Sequence, residues 1–160
     1  MPMKLSKNFT LDEMLYSSTA EARKIKNTMF DTTTCVANLT GLCQKVLQPI
    51  RNHFGPIIVT SGYSCATLAK VLGRKTSSQH CKGEAADLQL KEGSNYEMAK
   101  WIRDNLEFDQ LIYESRLRNG KPYDWVHISY KLDGTNRNQV LNSPVTLGYL
   151  NGLPERSYVV

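Results

Sequence analysis

The sequence predicts an α+β domain, and three observations lead there. Between Thr34 and Phe54, apolar residues recur every three or four positions (Val36, Leu39, Leu42, Cys43, Val46, Leu47, Ile50), the spacing of one buried helix face. After Gly55-Pro56, short alternating or β-branched runs follow at Ile57–Thr60, Ala85–Leu90, Gln110–Glu114 and Trp125–Tyr130. Helices that precede and punctuate a small, mainly antiparallel sheet make the class α+β. At 160 residues the chain suits one domain with one core.

Each element has its own local warrant. Thr10-Leu11-Asp12-Glu13 reads as a helix start, with Thr as N-cap and Glu three residues on. Residues 20–34 are polar and weakly patterned, a loop or a short helix. In the long helix, Pro49 removes one backbone hydrogen bond near the last turn. Gly55-Pro56 stops that helix, and Cys65 to Leu72 forms another, closed by Gly73. Arg74 to Gln79 is loop. Asn95 to Asn105 is helical, with Met98, Ala99, Trp101 and Ile102 facing inward. The turn-rich Asn119-Gly120-Lys121-Pro122 joins the last two strands as a hairpin, with Glu114 and Asp124 at its facing ends. Residues 1–135 are expected to form the domain. Residues 136–160, rich in Asn, Gly and Pro, are expected to be a partly disordered tail.

Composition narrows the classes. No stretch approaches the roughly 20 apolar residues of a membrane helix, and the N-terminus has no apolar core of a secretory signal. The expectation is a chain made in the cytoplasm, with no membrane partner. The net charge is +5 and the pI about 9.0. The cations are scattered without a basic helical stripe, which speaks against nucleic acid and leaves a modest preference for an anionic polymer. The four cysteines (Cys35, Cys43, Cys65, Cys81) show neither a disulfide framework nor a Cys-x-x-Cys pair. Cys81, beside His80, points away from any ligand set that His80 joins, because neighbours on an extended chain face opposite sides. Nothing calls for a second copy, and a monomer is expected.

Chemistry concentrates in two segments. The run from Ser78 to Asp87 satisfies Ser-x-His-x-x-Gly-x-Ala-x-Asp at every fixed position: Ser78, His80, Gly83, Ala85 and Asp87. Downstream, Asp124-Trp125-Val126-His127 adds a second imidazole. Seven residues would separate His80 and Asp87 by two helical turns. A loop ending at His80, a turn at Gly83 and a strand carrying Asp87 bring them together instead. Two imidazoles and one carboxylate leave a tetrahedral Zn²⁺ one open position, the mark of catalytic zinc, and such a site activates water against carbonyls. The third histidine, His53, ends the long helix, where it is structural.

These segments, with Thr60-Ser61-Gly62-Tyr63 shortly before them, resemble the zinc D-Ala-D-Ala carboxypeptidase, dipeptidase and L-alanyl-D-glutamate endopeptidase family, more narrowly its short phage or prophage members. The resemblance runs from about Phe9 to Tyr130. It implies the Hedgehog/DD-peptidase fold and zinc held by His80, Asp87 and His127. It also implies a general base three residues before the last His, hence Asp124. Glu114, across the hairpin, is the rival because its longer side chain reaches the same water. One departure stands out: where the family carries Arg after Ser-Gly-Tyr, this chain has Ser64. Arg74, Lys75 or Lys82 is then the substitute cation. Ser78 is expected to orient the His80 loop, Trp125 to pack beneath the site, and Tyr63 to line the cleft or the core.

The implied function is hydrolysis of peptidoglycan peptides after release from the cell by a membrane-permeabilising partner. The alternatives are a zinc-containing wall-binding or virion module that lost turnover with the missing Arg, and a cytoplasmic D-Ala-D-Ala dipeptidase.

Overall fold

A computed structural model describes residues 1–159. Helix α1 (Leu11–Leu15) starts at the expected capping box: Thr10 Oγ1 accepts from the Glu13 amide, and the Glu13 carboxylate accepts from the Thr10 amide. The stretch left open between loop and helix contains α2 (Ser18–Ala22), capped by Ser17. Asp31, whose carboxylate accepts from the Thr34 amide, starts α3 (Thr32–Leu42), two residues before the apolar pattern begins. The helix then widens into a π-turn over Cys43–Leu47 and continues as α4 (Gln48–Phe54). Pro49 explains the widening. It has no N–H to donate, and its ring would clash with the carbonyl four residues back. The apolar stripe survives, with Leu39, Leu42, Cys43, Val46, Leu47 and Ile50 all buried.

Six strands form one sheet in the order β1-β2-β4-β3-β5-β6. Strands β1 (Ile57–Ser61), β2 (Ala85–Leu90), β4 (Lys121–Ser129) and β3 (Gln110–Arg118) pair antiparallel in that order. The architecture is therefore α+β with a mainly antiparallel sheet. The β3–β4 hairpin is longer than the pattern indicates. Asn119 (φ 51°) and Gly120 (φ 74°) make a two-residue turn between Arg118 and Lys121, because both positions tolerate left-handed backbone and match the strand twist. Helix α5 (Ala66–Val71) lies between β1 and β2, and α6 (Asn95–Asn105) between β2 and β3.

One face of the sheet packs into the core through Ala86, Leu88, Leu111, Tyr113, Val126 and Ile128, joined by Met98, Ala99 and Ile102 of α6. Side chains alternate across a strand, so Asp87, His127, Ile112, Glu114 and Trp125 take the opposite face. His53 stacks on Trp101 with ring centres 4.5 Å apart, a structural role.

Residues 136–159, within the segment expected from the sequence to be a partly disordered tail at 136–160, differ from that expectation; residue 160 lies outside the described residues. Strand β5 (Gln139–Ser143) pairs parallel to β3, and β6 (Leu150–Asn151) antiparallel to β5. The Tyr158 ring stacks on Tyr113 at 5.1 Å, and Tyr96 donates its hydroxyl hydrogen to the Pro154 carbonyl. The segment is bound by backbone pairing and polar side chains more than by apolar burial, which hydropathy does not register. The sheet thus continues past residue 135. Among the described residues, no helix is long and apolar enough to cross a membrane.

Candidate active site

His80 sits in a 3₁₀ turn (Gln79–Lys82) that Ser78 starts, its Oγ accepting from the His80 amide at 3.3 Å. Gly83 closes the turn with φ 74°, and a Cβ there would lie 2.7 Å from the Cys35 carbonyl oxygen. Only glycine satisfies both conditions, and the turn delivers the chain into β2 with Asp87 on the solvent-side face. Asp87 is directly opposite His127 in the β2–β4 register. The three side chains thus converge from a turn and two adjacent strands.

The imidazole Nδ1 of His80 lies 2.8 Å from the Gly62 carbonyl. A carbonyl only accepts, so Nδ1 carries the hydrogen and Nε2 offers its lone pair to the centre. Asp87 Oδ1 stands 3.5 Å from His80 Nε2 and 3.1 Å from His127 Nδ1. One ligand atom from each residue lies within 4.8 Å of the others, close enough to hold one metal ion. Ligands at about 2.0–2.1 Å around tetrahedral zinc stand roughly 3.4 Å apart, so this N, N, O set suits zinc. A backbone carbonyl behind the His80 ring is also what orients a metal-binding imidazole. Burial disfavours charge on Asp87, but the two imidazoles outweigh it and hold the carboxyl well below the usual carboxylate range.

Arg74, just after α5, reaches the centre. Its Nη2 donates to Asp87 Oδ2 at 2.8 Å, and its Nη1 donates to Ser61 Oγ at 2.9 Å and Ser64 Oγ at 3.0 Å. Ser64, the departure noted above, is fully buried and anchors this guanidinium. Lys75 and Lys82 do not line the cavity.

The two carboxylates weighed as base lie on opposite faces of the sheet. Glu114 is buried in the same cavity as the ligand set. Burial pushes its carboxyl up, and the Asp87 charge adds to this against His127, Arg116 and Trp125. Asp124, preferred from the sequence as the base, has its side chain on the core side of the sheet. Asn95 donates to its Oδ1 at 2.8 Å, and the Tyr113 hydroxyl hydrogen-bonds its Oδ2. Strand β4 runs from Lys121 without a bulge against β3, so residues three apart keep opposite orientations.

The cavity is about 370 Å³ and open to solvent, with Trp125, Arg116 and Ile112 among its walls. Trp125 forms part of the cavity surface, where packing beneath the site was expected. Tyr63 is a core residue, 3% exposed, with its hydroxyl 3.5 Å from the Thr28 carbonyl. Cys81 Sγ turns to the Lys75 carbonyl, 4.0 Å away, and takes no part in the ligand set. The polar wall residues not expected from the sequence include Arg116 and Tyr149. Arg116 follows from Glu114 by strand alternation. Tyr149, on the loop between β5 and β6, left no signal.

The family model for peptidase M15 matches residues 7–129, which include every ligand candidate and both carboxylates. The chain belongs to the peptidase M15 family. No curated protein matches the chain closely enough to count as a relative. Peptidases of this family are zinc-dependent metallopeptidases, and the His80–Asp87–His127 cluster is compatible with that metal. The M15 match ends at Ser129, and β5, β6 and Tyr149 lie beyond it.

Proposed function

We propose that this M15 peptidase hydrolyses amide bonds in peptidoglycan stem or cross-link peptides, as a phage or prophage lysis enzyme. One observation carries the reading: a two-His, one-Asp cluster shares a solvent-open cavity with a buried carboxylate and an anchored arginine. His80, Asp87 and His127 would hold the zinc ion. When bound, zinc supplies a Lewis acid that polarises the scissile carbonyl and makes water acidic near neutral pH.

The protein groups do the rest. Glu114 accepts the proton of the attacking water and returns it to the leaving amine. A carboxyl raised by burial suits both halves of that exchange. Arg74 holds Asp87 in place through Oδ2 and keeps positive charge beside the carbonyl oxygen as negative charge develops there. With this cation present, the missing arginine at position 64 is no reason to favour a module without turnover.

Digestion of purified sacculi by the zinc-loaded protein, with new amino termini identified by mass spectrometry, tests the proposal. Release of peptides with a single type of new terminus is expected. Zinc-loaded protein that releases nothing from several wall types would leave a wall-binding module as the better description.

A further inference from the structure

The catalytic face does not end at Glu114 and Trp125. Strand alternation continues it along the hairpin through Arg116 and Arg118 on β3 and Tyr123 on β4. There the side chains form a ladder. The Arg118 guanidinium lies 4.4 Å over the Tyr123 ring, and Tyr123 stacks against Trp125 with centres 5.5 Å apart at 25°. The Arg116 guanidinium lies 5.6 Å over Trp125. A second hollow of about 330 Å³ runs beside this ladder, bounded by Thr60, Gln89, Arg118 and Tyr123. It shares Leu72, Asp87 and Trp125 with the cavity of the metal cluster, so the two form one groove from the centre toward the hairpin tip.

The hairpin segment that borders this groove carries charge of one sign. From Arg116 to Tyr123 there are three cations and no acid. Arg118 and Lys121 stand directly opposite each other in the register, a like-charge pair that weakens a hairpin. Among the described residues neither makes an ion pair, and Arg116 has only Glu114, at 4.0 Å. Arg116 is also tied to the Ser115 carbonyl at 2.8 Å, which leaves Arg118 the freest donor. A guanidinium stacked by one face on a ring keeps its N–H edge for a carboxylate.

We propose that the Arg118–Tyr123–Trp125–Arg116 ladder is a substrate subsite for a peptide segment bearing free carboxylates, next to the bond being cut. It deepens the hydrolase reading and rests on it. Continuity with the metal cluster favours a peptide over a separate anionic polymer, because whatever lies on the ladder extends from the chain whose amide lies at the centre.

The test uses a short peptide with two free side-chain carboxylates and the same peptide with both amidated. Binding is measured by titration calorimetry on zinc-loaded protein carrying Glu114→Gln, with and without Arg118→Gln or Arg118→Lys. The carboxylate peptide is expected to bind about tenfold tighter than the amidated one, a difference of about 1.4 kcal/mol. That preference should shrink to about twofold in Arg118→Gln, recover in part in Arg118→Lys, and weaken with added salt. Zinc content and melting temperature should match the parent throughout. Equal affinity for the two peptides, or an undiminished preference in Arg118→Gln, overturns the subsite. Stronger binding of inorganic polyphosphate than of the carboxylate peptide also overturns it and assigns the ladder to a polymer. The native sequence separates the two readings. Hydrolysis of both peptides with one KM overturns the subsite alone, whereas carboxylate-selective binding with no release from sacculi keeps the ladder as a carboxylate-peptide site and overturns the hydrolase.

Discussion

Glu114 and Asp124 are both buried carboxylates on neighbouring strands, yet their surroundings set them to different tasks. Glu114 has charged neighbours and lines the open cavity, whereas Asp124 is enclosed by donors from Asn95 and Tyr113. Glu114→Gln is therefore expected to retain zinc and lose about 10²–10⁴-fold in turnover, the range of general acid–base work. Metal analysis and peptide hydrolysis of one preparation check this. Asp124→Asn removes the charge that Tyr113 and Asn95 bond to. It should cost about 1–3 kcal/mol of stability, read as a lower denaturation midpoint, with near-parental turnover per folded molecule. If the two variants exchange these phenotypes, Asp124 is the base. The ligands are tested in the same way: His80→Ala or His127→Ala should abolish stoichiometric zinc, and unchanged zinc in both would rule out this set.

The 3₁₀ turn that carries His80 is held from below by a buried acid. Asp109, fully enclosed, accepts from Gln79 Nε2 at 2.9 Å and from the Arg137 guanidinium at 3.0 and 2.8 Å. Gln79 is the neighbour of His80, so this node links the turn to β3 and to the chain beyond residue 135. Burial raises the Asp109 carboxyl, but Arg137 and Gln79 outweigh it and leave it below its ordinary value. The sign follows from which state binds the proton more tightly. The unfolded chain does, so the Asp109 contribution is full above the unfolded pKa of about 3.9 and is lost as pH falls through the lower folded value. Asp109→Asn should flatten this acid-side loss of stability, which denaturant titrations between about pH 5 and pH 2.5 would show. A parental slope in that variant would mean that other carboxyls govern acid unfolding.

At the scale of the molecule, the chain beyond the peptidase match completes the sheet. Strand β5 covers the free edge of β3, and Tyr158 and Leu153 pack on the core. A chain ending at Thr135 would leave the β3 edge unpaired, Asp109 without Arg137 and Tyr113 without its stacking partner. It should unfold without a cooperative transition or aggregate, because an exposed strand edge recruits other chains. Circular dichroism on heating and size-exclusion chromatography would show this. A truncated chain that melts cooperatively near the parental temperature would make residues 136–160 an accessory rather than part of the fold. Tyr149 would be lost as well, opening one wall of the cavity.

Local chemistry was legible in the sequence. The capping box at Thr10, the apolar stripe of the long helix, the glycine turn at Gly83 and the spacing of His80 and Asp87 all depend on residues close in the chain. Even the face of Asp124 was legible, since strand alternation places residues three apart on opposite sides and no bulge intervenes; the family pattern pointed the other way. What only the tertiary structure decided are the meetings of distant segments. Arg74 reaches Asp87 from the turn after α5, and Ser64 anchors it where a family arginine was expected. β5 joins β3 through backbone hydrogen bonds, which any sequence can make and no hydropathy pattern announces. Tyr149 faces the cavity because that pairing returns the chain over the catalytic face. Side-chain identity sets what each position can do, whereas pairing between distant backbones sets which positions share a site.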